Sequence, residues 1–227
     1  MPKKQGVVSA KQARSRETHQ RLVSSCIELL GEKPFDRVTI AEIAQGAGVS
    51  VGNFYRRFTS KEAILPDLYT EYDRRFEGFA SRISQAEDAP RIFRDNVMAL
   101  VSAIADFLAQ NRGLVQALHL QARLHPEIIP RRSHAERHAL FDQLKTLLPD
   151  ADPERSSRMG RTVGLLLVST LVEQIVYPEH TPAAAAALQT DEVVSELVDV
   201  IVRYAEVARS HPKHRKSPPL VEVGDPV

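Results

Sequence analysis

The chain has 227 residues, 43% of them hydrophobic, with one cysteine, no tryptophan, and 30 basic against 29 acidic side chains. That length allows two small domains or one large helical one with a sizeable core, and a single thiol excludes an internal disulfide or a multi-cysteine zinc site. The near-neutral total hides an asymmetry, because residues 1–62 hold eleven Lys or Arg against six Asp or Glu and the remainder nineteen against twenty-three, a basic head on a mildly acidic body.

The first residues, MPKKQGVVSAKQARSR, are basic and contain no apolar run of signal-peptide length, so residues 1–15 are expected to form a flexible arm. No segment reaches 18 consecutive apolar residues, which argues against a membrane span and for a cytoplasmic protein. A first helix over about 11–30 places Leu22, Val23, Cys26, Leu29 and Leu30 on one face, where a buried thiol is inert. Thr39-x-x-Glu42 is a capping box that starts a second, two-turn helix with Ile40, Ile43 and Ala44 facing inward. Gly48 supplies the positive φ of a turn, and Ser50 caps a third helix over 51–58 with Phe54 and Phe58 inward. Val51, Asn53, Tyr55, Arg56 and Arg57 remain on its other faces, with no carboxylate between Glu42 and Glu62. Thr59-x-x-Glu62 predicts another capping box, a helix starting at about Ser60, and Lys61 exposed on its first turn. An acid-free, Arg-containing helix after a tight turn suits a phosphate-lined groove, as in a helix-turn-helix. The alternatives are local: Tyr55 as a core aromatic, Arg56 and Arg57 as a solvated pair, and Gly52 as a point of tight helix packing.

Beyond residue 65 the pattern stays helical. Helices are predicted over about 66–84 (with Leu68, Tyr72, Phe76 and Phe79 as one stripe), 91–110, 114–126, 132–148, 154–177 and 191–208, with a loop over 178–189. The run Val163 to Val172 is apolar nearly all round, so its helix must be buried or paired on most of its surface. Gly160, Gly164, Leu167 and Leu171, with Leu197, Ile201 and Tyr204 from the last helix, are the expected contacts of a four-helix bundle between two copies. Intramolecular burial is the alternative. The Pro-rich charged tail 211–227 is expected to be disordered. The resulting division is an arm (1–15), a helix-turn-helix domain (16–64), a larger helical domain (65–210) and a tail (211–227), all-α throughout.

Val49, Ser50, Gly52, Phe54, Tyr55, Phe58, Ser60, Lys61, Glu62 and Ile64, with Thr39, Ile43, Ala44 and Gly48 upstream, resemble the amino-terminal domain of the TetR family of bacterial transcriptional regulators. The resemblance implies that Thr39, Tyr55, Arg57 and Lys61 touch phosphates, that Val51, Gly52 and Asn53 face base edges, and that Arg56 serves either role; Ser50 completes the DNA-facing set. Asn53 stands where Thr or Ser is common in the family, and Val51 where polar or basic residues are frequent. Asn pairs with adenine N6 and N7 and Val contacts a thymine methyl, which points to an A·T-containing half-site. A homodimeric repressor on a pseudo-palindromic double-stranded operator is implied, together with a small-molecule effector. Candidate lining residues for the effector are Phe76, Phe79, Met98, Phe107, Leu118, His119 and Phe141, whose composition favours an apolar or aromatic ligand; plain core is the alternative for each.

Enzyme chemistry has no foothold. His134 and His138 have a metal-ligand spacing but lack the HExxH order and a third ligand. Gly-x-Ser-x-Gly, a P-loop and a dinucleotide fingerprint are absent, so neither metal, cofactor nor catalytic residue is expected. The rival readings are an architectural DNA binder without effector, and a helical enzyme or carrier with the head for localisation.

Overall fold

A computed structural model describes residues 10–85, 93–128, 153–179, 182–186 and 188–210, and every regular element among them is helical. Helix α1 (Ala10–Leu30) buries Leu22, Val23, Cys26 and Leu30. Burial pushes the Cys26 thiol up to about 12, which keeps it protonated and unreactive near neutral pH. A 3-10 turn (Phe35–Arg37) leads to α2 (Ile40–Gly46) and then α3 (Val51–Tyr55). Gly48, at φ 64°, makes the turn between them. Helix α3 is shorter than the expected 51–58: Arg56 is its C-cap, and the chain closes through Phe58 N–H donating to Phe54 O at 3.0 Å. Phe54 and Phe58 are both buried, as their spacing requires.

The expected Thr59–Glu62 box is not the cap that forms. Lys61 already has helical dihedrals, so Ser60 takes the capping role one residue later and accepts from Ala63 N at 3.3 Å. A 3-10 turn (Glu62–Ile64) then runs into α4 (Leu65–Gln85). Helices α5 (Phe93–Gln110) and α6 (Arg112–Leu124) meet at Asn111 alone. The Asn111 amide donates to Phe107 O and accepts from Arg75 of α4, each at 2.8 Å, which pins this joint to α4.

Helix α7 (Pro153–Leu171) continues as a π-helical turn (Val172–Val176). Where a loop was expected, residues 182–186 form the short helix α8 (Pro182–Ala186), built from the best helix former after a proline at the first position. Helix α9 (Thr190–Ser210) packs chiefly along α5. The expected helix at 132–148, with His134, His138 and Phe141, lies outside the described residues, as do 1–9 and 211–227.

Two cores result. The head core joins α1 to α3 with Leu65, Leu68 and Tyr69 of α4 and with Leu114, Ala117 and Leu118 of α6. The body core joins α5, α7 and α9, and Tyr72 of α4 packs against both.

Most of the expected dimer contacts lie inside this packing. Gly160, Gly164, Leu167, Leu171, Leu197 and Ile201 are buried within the single chain, and of that set only Tyr204 is exposed. A helix that is apolar all round has two stripes, and the stripe containing the glycines is the inner one. The outer stripe shows Leu165 (65% exposed), Leu166 and Val168, and α9 adds Val200 and Val207 (60%). By length and composition Pro153–Val176 could cross a membrane, yet its inner stripe is core.

Candidate nucleic-acid interface and the cavity behind it

The capping box that opens α2 forms as the sequence predicts. Thr39 Oγ1 accepts from Glu42 N at 3.3 Å, while Glu42 Oε2 accepts from Thr39 N (2.9 Å) and from the Thr39 hydroxyl (2.8 Å). Both donors of Thr39 are therefore taken by Glu42, and its expected phosphate contact has no proton to offer in this conformation. Lys33, which the sequence reading passed over, pairs with the same carboxylate. Its hydrogen bond, followed by those of Thr39, holds Glu42 at about 2. That is below the ordinary carboxylate value of about 4.3, so the contribution to stability is present above the unfolded value and is lost as pH falls toward 2. Melting temperature should therefore decline between about pH 5 and pH 2, and Glu42→Gln should flatten part of that decline. Parallel melting profiles for the two proteins across this range would refute the assignment.

Ser50 caps α3 by accepting from Asn53 N at 3.3 Å, which leaves its own hydroxyl proton to donate elsewhere. The outward face of α3 carries Val51 (41% exposed), Gly52, Tyr55 (56% exposed) and Arg56, two adjacent pairs one helical turn apart and so on one side of the helix. Asn53 is half-buried at its edge. The exposure of Tyr55 decides against the core reading, although its ring still meets Phe54 edge-on at 5.8 Å. Around Gly52 the nearest atom to an added Cβ would be Ser50 Oγ at 3.8 Å, so close packing inside the protein does not account for the glycine.

Arg57 and Lys61, both expected at phosphates, make hydrogen bonds within the head. Arg57 donates to Asn53 O (3.1 Å) and to Ser15 O on α1 (3.4 Å), and its Nε is buried without a partner. Lys61 is half-buried rather than exposed: its ammonium donates to Phe35 O (2.9 Å) and Asp36 O (3.2 Å) and lies 4.7 Å from the Phe35 ring centroid. Both tie separate segments of the head together, Arg57 to α1 and Lys61 to the 3-10 turn at Phe35. Sequence reading also missed the joint of α1 with α2, where Ser25 Oγ donates to Ile43 O at 3.0 Å against Gly46.

Behind the head lies a cavity of about 350 Å³ among α4, α5, α6 and the end of α7. Of the candidate lining residues, Phe76, Phe79, Phe107, Leu118 and His119 border it. Met98 does not; it packs into the body core. The polar pairs at the wall include His119 Nδ1 with Tyr177 Oη (2.9 Å) and Tyr69 Oη donating to Leu118 O (3.0 Å). Burial raises the Tyr177 phenol above its ordinary value. Among the described residues, no three metal-ligating side chains gather.

Residues 22–68 match the family model for bacterial regulatory proteins of the tetR family. The amino-terminal domain is a TetR-family domain. Over 50 residues this TetR-type head is 35% identical to the uncharacterized HTH-type transcriptional regulator YvdT of Bacillus subtilis (strain 168), an alignment spanning 22% of this chain and only 26% of that protein. A longer alignment of 162 residues reaches the nucleoid occlusion factor SlmA of Mannheimia succiniciproducens at 28% identity, covering 71% of this chain and 72% of SlmA. The whole fold resembles the transcriptional regulator FadR from Bacillus subtilis, whose structure was solved in complex with stearoyl-CoA. That match has a TM-score of 0.55 and 15% identity, over 81% of this chain and 97% of that one. None of these three relatives is named as an enzyme.

Proposed function

We propose that the protein is a dimeric, sequence-specific transcriptional regulator, a repressor that leaves a pseudo-palindromic operator when a small molecule fills the cavity. The observation that carries this reading is that the same two helices serve both places. Helix α4 begins in the head core with Leu65, Leu68 and Tyr69 and goes on to line the cavity with Tyr72, Phe76 and Phe79. Helix α6 likewise contributes Leu114 and Ala117 to the head core and His119 and Ala122 to the cavity wall. A ligand that displaces those walls must displace the head. Coupling of this kind needs only a difference in ligand affinity between two states, and a hundredfold difference corresponds to about 2.7 kcal/mol. The exposed apolar residues of α7 and α9 supply a surface for a second copy, which would present two α3 helices to successive major grooves.

The test is selection of genomic fragments by the purified protein at near-physiological salt, since affinity has no meaning without a stated salt concentration. Recovery of one inverted-repeat sequence is expected; recovery of fragments with no shared sequence would overturn the reading. The likeness along most of the chain to a protein named for nucleoid occlusion, not for a ligand, supports a second reading for this chain, a DNA binder that needs no effector. Its mark would be an operator complex that no cavity ligand weakens.

A further inference from the structure

One lining group of the cavity is ill suited to a purely apolar ligand. Glu173 borders the cavity, and its Oε2 is shut off from solvent and accepts no hydrogen bond from the described residues. It sits in the π-helical turn Val172–Val176, a geometry that turns side chains off the straight helical stripe and recurs at functional sites. A buried, unpartnered carboxylate oxygen is among the groups folded proteins tolerate least, because it has lost water and gained nothing. Two other polar groups of this wall are engaged, His119 with Tyr177 and Tyr69 with the Leu118 carbonyl, and Ser169 is exposed to solvent. Arg123, the second charged lining residue, is exposed, so solvent and salt screen it far more than they screen Glu173.

The apolar wall is part aliphatic, with Ile104, Leu108, Val115 and Val172, and part aromatic, with rings whose faces attract positive charge. Phe79 and Phe107 have centroids 4.7 Å apart, and Phe76 and Tyr72 lie within 5.9 and 6.0 Å of Phe107. We infer that the cavity takes a lipophilic amine whose ammonium group donates to Glu173 Oε2 while its hydrocarbon part lies against the Tyr72, Phe76, Phe79 and Phe107 rings. This inference rests on the effector-gated reading above and specifies its ligand class. A carboxylate or phosphate ligand of similar shape would meet the field of Glu173 with the wrong sign.

The experiment compares 4-phenylbutylamine, 4-phenylbutanol and 4-phenylbutyrate as probes, by calorimetric titration of the full chain and by their effect on binding to the selected DNA. The amine should bind at least tenfold more tightly than the alcohol or the acid. Glu173→Gln should reduce amine affinity tenfold or more and leave the alcohol within twofold, which also shows that the cavity stays folded; the ranking in the unaltered protein tests the inference without any variant. Equal or tighter binding of the acid or alcohol, binding of none of the three, or an amine affinity indifferent to Glu173→Gln would overturn it. Should the acid bind best and release DNA, the amine site fails and effector gating stands. Should the amine bind through Glu173 without touching DNA affinity, the amine site stands and effector gating fails.

Discussion

Gly113→Ala is expected to lower stability by about 3 kcal/mol, the upper part of the usual range for overpacking, a fall of roughly 6–12 °C in melting temperature for a chain of this size. Gly113 is the second residue of α6, and a Cβ there would stand 1.8 Å from Leu30 O and 2.5 Å from Leu30 C. Both atoms belong to the backbone of the last residue of α1, so no rotamer change can clear them. The end of α1 is itself held, with Leu30 buried and Gly31 N–H donating to Glu28 O at 3.0 Å. Relief requires α1 and α6 to part, which draws Leu114, Ala117 and Leu118 out of the head core. Gly78, in α4, is the control: nothing lies within 4 Å of a Cβ there, and Gly78→Ala should stabilise the protein by about 0.5–1 kcal/mol. Thermal melts of the two variants should therefore shift in opposite directions. A Gly113→Ala protein that melts with the wild type would show that the α1–α6 contact is slack and cannot carry coupling between head and cavity.

The contrast between these glycines marks what a single sequence can disclose. Devices completed within a few residues were legible: the Thr39–Glu42 box, the Ser50 cap, the positive φ of Gly48 and the inward pair Phe54 and Phe58. Gly113 fell in the gap between the helices expected over 91–110 and 114–126, and its close contact was not legible, because the backbone it accommodates comes from α1, far away in the chain. Charge type was legible at Arg57 and Lys61 but their contacts inside the head were not, since the carbonyls they meet belong to segments far away in the chain. At α7 the sequence disclosed a helix apolar on every side; it could not say that the stripe with Gly160, Gly164 and Leu167 is inner and that with Leu165 and Val168 outer. Glu173 offered a signal that went unused, a carboxylate placed at the end of that apolar run.

The stability of the head and its grip on DNA should separate at Gly52. Within a helix a glycine costs about 0.5–1 kcal/mol relative to alanine, and an added Cβ here meets only Ser50 Oγ at 3.8 Å. Gly52→Ala should therefore leave the protein as stable as before or raise its melting temperature. DNA affinity should move the other way. Gly52 shares the exposed face of α3 with Val51, Tyr55 and Arg56, and a methyl group there holds the helix off the floor of the groove and lengthens the neighbouring base contacts. A loss of about 1–3 kcal/mol, the worth of one good base contact, corresponds to roughly five- to 150-fold weaker binding, and Gly52→Val should lose more. Fluorescence anisotropy with the selected operator, paired with melts of the same samples, reads both quantities. A glycine kept for internal packing would lose stability and affinity together, whereas one kept for groove approach gains the first and loses the second. Full operator affinity in the Gly52→Val protein would mean that this face of α3 does not enter the groove.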